Sequence, residues 1–188
     1  DLFKNVKEKN KGRLNAFVQH FYRIGVYIAS IVFTFIMIRK ILIGLLVALV
    51  LIQFIRPARN NGSMSSANDI THYVKVPDTI MHMLKTSCYD CHSNHTQYPW
   101  YVNINPVGFW LRSHINDGKH AINFSDLSAF DKKKLDHRLG DIAETTAKHE
   151  MPLSTYTLIH TYAKLSDDQI NMIKEWTDAA RKEVGYQK

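Results

Sequence analysis

Residues 88–92 read Cys88-Tyr89-Asp90-Cys91-His92, and they contain both cysteines of the 188-residue chain. Two cysteines three positions apart exclude a small domain stapled by several disulfides, and they indicate that the two thiols act together. Cys-x-x-Cys-His is the pattern that attaches a c-type haem. Two thiols at this spacing reach the two vinyl groups of one porphyrin, and the adjacent imidazole binds iron. The motif predicts one covalent haem c, held by Cys88, Cys91 and His92.

Three other interpretations use the same residues. A thioredoxin-like redox pair requires a strand before the motif and a helix after it, and no such pattern is present. A zinc site at Cys88, Cys91, His92 and His95 lacks a second pair of ligands, and adjacent Cys and His rarely surround one tetrahedral ion. A chance match is the third alternative, because only three of the five positions are fixed.

The flanking sequence predicts an all-α domain, since no alternating strand pattern of useful length occurs. Residues 77–85 predict a helix that leads into Cys88. Ser166 and Gln169 form a capping box that opens a closing helix with apolar residues at helical spacing. Further helices are expected at three places: from an Asn105 N-cap with Pro106 in the first turn, over 131–149 until Met151-Pro152, and over 156–162.

Upstream, residues 24–55 are apolar except for Arg39-Lys40. A single span over the whole stretch would be too long and would place two charges near the membrane centre. Two spans are also disfavoured, because Arg39-Lys40 is too short to turn a helical hairpin. The preferred anchor is therefore residues 37–56, with Ile41–Ile55 contacting the lipid bilayer. The positive-inside rule then places Arg39 and Lys40 in the cytoplasm and everything after Arg56 outside.

Two further segments flank the anchor, and a candidate cleavage site follows it. Met37-Ile-Arg-Lys before an apolar run is typical of a protein start, so residues 1–36 are interpreted as a misassigned extension, or else as a genuine arm. Signal-peptide cleavage at Ser65-Ser66-Ala67 is disfavoured because that site lies far beyond the apolar run. Residues 57–68 are polar and rich in turn formers, which indicates a linker before a haem domain at 69–188.

The basic charge belongs to the anchor region. Residues 1–64 hold ten Lys and Arg against two acidic residues, and the remaining residues hold fourteen against fifteen. A nucleic-acid patch would lie on the folded domain, so the net charge of +7 favours membrane topology over nucleic-acid binding.

Residues 70–184 resemble the bacterial haem-binding domain family of small membrane-anchored c-type cytochromes. The matching stretches are Cys88–Asn94, Tyr98–Tyr101, Asn105-Pro106, Asn123–Ser125, Met151–Leu153 and Leu165-Ser166, after an anchor ending in Arg56-Pro57. The closing helix is similar to that of class I cytochromes c, whose aromatic residue packs on the first helix. The resemblance implies haem binding and a cytochrome c-like helical domain behind a single N-terminal transmembrane helix.

The sixth iron ligand separates electron transfer from ligand chemistry. Met151 is the preferred ligand, because it follows the motif at a class I-like interval and sits in a Met-Pro loop before the closing helix. His149, His160, the less favoured His114 and an open site are the alternatives.

Large aromatic residues after the motif are expected to wall the haem pocket. Tyr98 and Trp100 are counted as cofactor-binding residues, together with Pro106 from the matching Asn105-Pro106 stretch. No paired carboxylates, activated nucleophile or phosphate loop indicates an enzyme.

The predicted function is mono-haem electron transfer to a redox partner protein, on the periplasmic side of a bacterial inner membrane. The first alternative is a gas or peroxide sensor, or a weak peroxidase, whose haem has an open sixth site. The second alternative is a haem-free interaction domain stabilised by zinc.

Overall fold

The computed structural model describes residues 2–63 and 66–186, with side chains described from residue 18 onward apart from residue 29. The chain divides into two compact units, one up to Ile55 and one from Arg56 onward.

The first unit is a single helix, α1 (Leu2–Ile52). Its part Val18–Ile52 has a mean hydropathy of 2.6 and no buried residue, so it is long and apolar enough to cross a membrane. At 1.5 Å per residue these 35 residues extend about 50 Å, more than the ~30 Å of a bilayer core. The helix passes through Arg39 and Lys40 without a break. Backbone bonds of the i→i+3 type continue it to Ile55, the end of the predicted span.

The second unit is helical, and no strand is found in its described residues. Three short 3-10 helices (Ile70–His72, Trp100–Asn103 and Thr161–Ala163) accompany six α-helices. The α-helices are α2 (Asp78–Ser87), α3 (Tyr89–His92), α4 (Val107–Ala121), α5 (Lys132–Ala147), α6 (Ser154–Thr157) and α7 (Asp167–Val184). The predicted all-α class with one N-terminal apolar helix is confirmed.

The core of this unit forms where α5 packs against α7. Leu139 and Ile173 are almost fully buried in it. Outside the apolar contact, Arg181 Nε donates to Asp136 Oδ1 at 2.9 Å. The capping box predicted at Ser166 and Gln169 is present in both directions. These features fix the closing helix on α5.

The closing helix also packs on the helix before the cysteines, as the resemblance implied. Trp176 of α7 and Ile80 of α2 are both at least 93% buried and belong to one core. The Trp176 indole N–H donates to the Lys75 carbonyl at 2.9 Å, just before α2 begins. A buried indole thus has its hydrogen bond satisfied while its ring supports α2.

Two helix boundaries differ from the prediction. Pro106 rather than Asn105 occupies the N-cap of α4, because the Asn105 side chain is buried and lies against Gly108. The predicted helix over 156–162 is divided into α6 and the 3-10 helix Thr161–Ala163.

Part of the segment interpreted as a linker is joined to the second unit. Asn60 is only 6% exposed, and its Nδ2 donates to the Ser93 carbonyl and to Thr96 Oγ1, both at 2.9 Å. The Thr96 amide in turn donates to the Asn60 carbonyl at 3.0 Å. Its polar residues, which suggested a flexible tether, thus have partners in the domain. Residues 64 and 65 lie outside the described residues.

Candidate functional site

The two cysteines lie where α2 meets α3. Cys88 follows the last residue of α2 and precedes α3, which contains Cys91 and His92. Both thiols are free and half-buried. They line one cavity of about 230 Å³ with His92. A second cavity, of about 460 Å³, shares Cys91 with the first, so the two spaces adjoin at this residue.

Burial keeps both thiols protonated. It raises the pKa of Cys88 to about 12, with Cys91 contributing next. It raises the pKa of Cys91 to about 11, with the neighbouring Asp90 charge contributing next. Redox-active Cys-x-x-Cys pairs have a lowered thiol pKa instead. Among the side chains that the structure describes, no three from His, Cys, Asp or Glu are grouped to hold a metal ion. Neither finding favours the redox-pair or zinc interpretation.

His92 is held in the form that binds iron. Its Nδ1 lies 3.1 Å from the Ile122 carbonyl, which accepts a hydrogen bond, so Nδ1 carries the proton. Burial lowers the pKa of His92, and the Ile122 and Gly118 carbonyls oppose this. The imidazole is therefore neutral, with the lone pair of Nε2 available as a ligand.

Helix α4 supports the motif through a close backbone contact. A Cβ on Gly118 would lie 2.7 Å from the Cys91 carbonyl oxygen, so only glycine permits this approach. Ile122, which accepts from His92, is the C-cap of the same helix. One helix thus positions both Cys91 and His92.

Asp90, inside the motif, joins it to α6, the short helix that follows Met151-Pro152. Tyr156 Oη donates to Asp90 Oδ2 at 2.7 Å, and the Gln97 amide donates to Oδ1 at 3.0 Å. Burial raises the pKa of Tyr156, and its hydrogen bond to Asp90 and the Asp90 charge raise it further. The phenol is therefore a permanent donor near neutral pH, and it fixes the cavity wall contributed by Tyr156.

Among the predicted sixth ligands, the structure brings Met151 to the cavity. Met151 lines the same cavity as His92, at the end of the turn after α5. His149 is exposed, has a φ of 55°, and is not part of the cavity wall. His160 has both ring nitrogens bonded to phenols, at 2.6 Å to Tyr101 and 2.9 Å to Tyr162.

His114 lines both cavities. Its Nδ1 lies 2.9 Å from the Trp110 carbonyl, which accepts a hydrogen bond from it. This less favoured candidate is therefore the histidine alternative that the structure places near Cys91.

The predicted aromatic and proline residues are distributed over different sites. Trp100 lines the second cavity and is 76% exposed. Tyr98 and Cys91 both pack against a small cluster that includes Val102, and the Tyr98 hydroxyl accepts from the Asn60 amide at 2.7 Å. Pro106 is exposed at the start of α4. Tyr98 and Pro106 do not line the two cavities around Cys91.

Several residues of the site were missed by sequence reasoning. Asp90, Gly118 and Tyr156 received no role, although all three contact the motif or its cavity. The glycine inside a helical pattern was a usable signal, since such glycines often mark a close backbone approach. No local signal marks the pairing of Tyr156 with Asp90, which are 66 residues apart.

The donor set fits a haem. Two protonated thiols and a neutral imidazole line one cavity, and a thioether side chain lines it as well. The adjoining cavity is lined mainly by apolar and aromatic side chains, as a porphyrin requires. These residues would hold the ring through Cys88 and Cys91 and the iron through His92.

Comparison with known proteins agrees with this chemistry. The model of the haem-binding domain family matches residues 47–179, which is more than half of the chain and includes the whole cysteine motif. No curated protein and no solved structure matches the chain. The chain therefore belongs to the haem-binding domain family.

Proposed function

We propose that this haem-binding protein is a membrane-anchored, mono-haem c-type cytochrome that carries electrons on the periplasmic side of a bacterial inner membrane. The observation that carries the proposal is the grouping of Cys88, Cys91 and His92 with Met151 around one cavity. Thiols and imidazole at this spacing are the attachment set of a covalent haem. A thioether is a ligand of electron-transfer haems.

Each residue has a stated role. Cys88 and Cys91 would form the two thioether bonds, and His92 would bind the iron while its Nδ1 stays bonded to the Ile122 carbonyl. Met151 would supply a thioether ligand to the same iron. The bound haem supplies an iron atom that alternates between the ferric and ferrous states. Asp90 and Tyr156 hold the motif and the Met151 loop together, so that the ligands keep their positions.

Electron transfer is favoured by the surface around the second cavity. Trp100, Trp110 and Ile159 line this cavity and are 76%, 47% and 61% exposed. Any part of these apolar side chains that a bound haem leaves exposed would suit brief docking of a redox partner protein. We therefore propose a carrier rather than an enzyme.

The proposed location rests on the apolar helix and on the charges beside it. Val18–Ile52 is long enough to cross a membrane, and Arg39-Lys40 precedes the span Ile41–Ile55. Basic flanks stay in the cytoplasm, which puts the haem domain outside. Alkaline phosphatase fused to the C-terminus of the full chain should be active. A fluorescent protein that folds only in the cytoplasm should be dark at the same site, and the reverse pattern would contradict this topology.

Haem attachment and ligation are tested on the full chain, made with haem-maturation machinery and purified in neutral detergent. The haem should stay with the denatured polypeptide on a gel, and this retention should be lost when Cys88 and Cys91 are both changed to Ala. Absorption spectra in both redox states should be six-coordinate. Met151→Ala should create a five-coordinate species that binds carbon monoxide. Met172→Ala, at a similarly exposed methionine of α7 (39% against 37%), is the matched control and should leave the spectra unchanged.

Three results would change the proposal. Haem that dissociates on denaturation would exclude the c-type assignment while leaving haem binding intact. Spectra that survive Met151→Ala would remove Met151 as ligand and direct the search to His114. Rapid carbon monoxide binding by the unmodified chain would favour the gas or peroxide sensor, whose sixth site is open.

A further inference from the structure

A polar pocket of about 460 Å³ borders α4 at a place that the haem site does not use. Four of its lining side chains are basic: Arg59, Arg112, Lys119 and His120. Asparagine amides and Gly62 make up the rest of the wall, and no Asp or Glu is among these described residues. Its chemistry is therefore that of an anion site.

Helix α4 separates this basic pocket from the haem cavity. Arg112, Asn116 and Lys119 follow the i, i+4, i+7 spacing of one helix face, and all three line the basic pocket. His114 and Ala121 lie on the other face and line the cavity at Cys91. The basic pocket is thus a separate site and is not needed to hold the haem.

Two of the four basic side chains, Lys119 and Arg59, have hydrogen bonds that hold them in place. Asn60 Oδ1 accepts from Lys119 Nζ at 2.8 Å, and Asn60 is itself buried and bonded to Ser93 and Thr96. Arg59 Nη2 donates to Asn103 Oδ1 at 2.8 Å, and its guanidinium lies 5.3 Å from the centre of the Tyr98 ring. A prearranged set of donors costs less entropy on binding than a flexible one.

The positive charge of the pocket is not neutralised by the protein. Among the residues that the structure describes, no ion pair involves any of the four basic side chains. Burial lowers the pKa of Lys119, and the Arg112 charge lowers it further. Asp126 opposes this effect only from an exposed position, where its carboxylate accepts from the Ser128 amide. An anion in the pocket would therefore relieve charge repulsion between Arg112 and Lys119.

We propose that the basic pocket binds a phosphate group through Arg59, Arg112 and Lys119. Arginine forks and a lysine ammonium are the side chains that recognise phosphate oxygens. The phosphate has two conceivable sources, the headgroup of an anionic lipid and free phosphate in solution. The short distance along the chain favours the headgroup, since Arg59 follows the last residue of α1, Ile52, by only seven positions.

The first arm of the test measures the free anion. Inorganic phosphate and pyrophosphate are titrated into the full, haem-loaded chain in neutral detergent at low ionic strength, by calorimetry. One site per chain is expected, with binding that weakens as salt is added. Arg112→Gln should weaken phosphate binding at least tenfold. Lys133→Gln removes the same charge at an exposed position of α5 and should change the affinity less than twofold. Unchanged haem spectra and melting temperature would show that the Arg112→Gln chain is folded. Arg59→Gln is the second variant and tests another of the proposed phosphate-binding side chains.

The second arm identifies the source. Native mass spectrometry counts lipids retained by the full chain in detergent with either phosphatidylglycerol or phosphatidylcholine. Retention of one phosphatidylglycerol that is lost in Arg112→Gln and displaced by added phosphate assigns the site to a lipid headgroup. Phosphate binding without lipid retention assigns it to the free anion. The proposal is overturned if neither probe binds, or if Arg112→Gln and Lys133→Gln behave alike. Because the haem spectra are recorded in the same samples, this result stays distinct from a failure of the cytochrome assignment.

Discussion

The residues around Cys91 are held by contacts that span large sequence separations. Tyr156 reaches Asp90 across 66 positions, and His92 reaches the Ile122 carbonyl across 30. A hydrogen bond to an ionised carboxylate contributes more than one between neutral groups, about 1.5–3 kcal/mol. The site is therefore held by a few hydrogen bonds, and the loss of each should produce a measurable decrease in the free energy of unfolding.

The Tyr156–Asp90 bond is tested by a double-mutant cycle. Tyr156→Phe removes the donor and keeps the ring that stacks on His160, so we expect a loss of about 1.5–3 kcal/mol in the free energy of unfolding. Asp90→Asn and the double variant complete the cycle, which cancels the separate effect of losing the Gln97 contact. Urea unfolding of the full, haem-loaded chain in detergent is followed by haem absorbance. A coupling energy near zero would show that the bond does not join motif and loop.

The half-buried thiols of Cys88 and Cys91 should react slowly in the chain made without haem. With the pKa of Cys88 raised to about 12 and that of Cys91 to about 11, both stay protonated at pH 8, and only the thiolate reacts with iodoacetamide. We expect alkylation at least about tenfold slower than in the same chain unfolded in guanidinium.

The pH dependence of this reaction has a defined sign. Because both pKa values are raised, the rate in the folded chain should still be increasing at pH 10, where an ordinary thiol has reached its plateau. Circular dichroism confirms that the haem-free sample is helical. A plateau near pH 9 would show that the thiols are exposed to water.

Among the elements, α4 has the most roles. The Cys91 backbone packs closely against Gly118 of this helix, and the carbonyl of its C-cap, Ile122, accepts the hydrogen bond of His92. The opposite face of the helix carries Arg112 and Lys119, which line the basic pocket. Because these contacts lie at fixed spacings on one rigid helix, a shift of α4 changes all of them together.

Gly118→Ala should destabilise the chain by about 1–3 kcal/mol, because the new Cβ meets backbone atoms of Cys91 that have no room to move. Gly140→Ala is the matched control in the middle of α5. There the nearest atoms are 3.6 Å away on the flexible Arg181 side chain. The alanine should therefore raise the free energy of unfolding by up to about 1 kcal/mol. Urea unfolding of both variants decides the matter. Equal effects would mean that α4 does not pack closely on the motif.

Element by element, periodicity and capping were reliable guides where a helix carries its own signals. The capping box at Ser166 and the apolar spacing after it placed α7, and the helix expected over 131–149 corresponds to α5. The N-cap of α4 was misplaced because burial of Asn105 is decided by tertiary packing. In the site, the motif identified both thiols and His92. The roles of Gly118 and Tyr156 depend on pairings between distant segments, which no local pattern encodes.

For the whole molecule, the division into two units separates a helix that is long and apolar enough to cross a membrane from the unit that contains the cysteine motif. α1 leaves apolar side chains such as Leu46 and Ile31 exposed, while the second unit buries its own core. Since Val18–Ile52 is longer than a bilayer requires, the position of the span within it is an experimental question.

A pair of matched charge insertions locates the span. If Ile41–Ile55 crosses the membrane, Leu46→Lys puts a charge near its centre at a cost of about 2.5–3.5 kcal/mol. We expect a large loss of chain from the carbonate-resistant membrane fraction. Ile31→Lys, at a residue of similar exposure (54% against 60%), should leave that fraction unchanged. The opposite pattern would move the span upstream of Arg39.

The two-sided use of α4 has an electrochemical consequence. A helix is about 10–12 Å across with its side chains, so a charge at Arg112 would act on an iron bound by His92 through little more than one layer of protein. At an effective dielectric constant near 20, one charge at about 10 Å changes the ferric–ferrous balance by on the order of 1 kcal/mol. An anion beside Arg112 stabilises the ferric state, so the midpoint potential of the haem would report how full the basic pocket is.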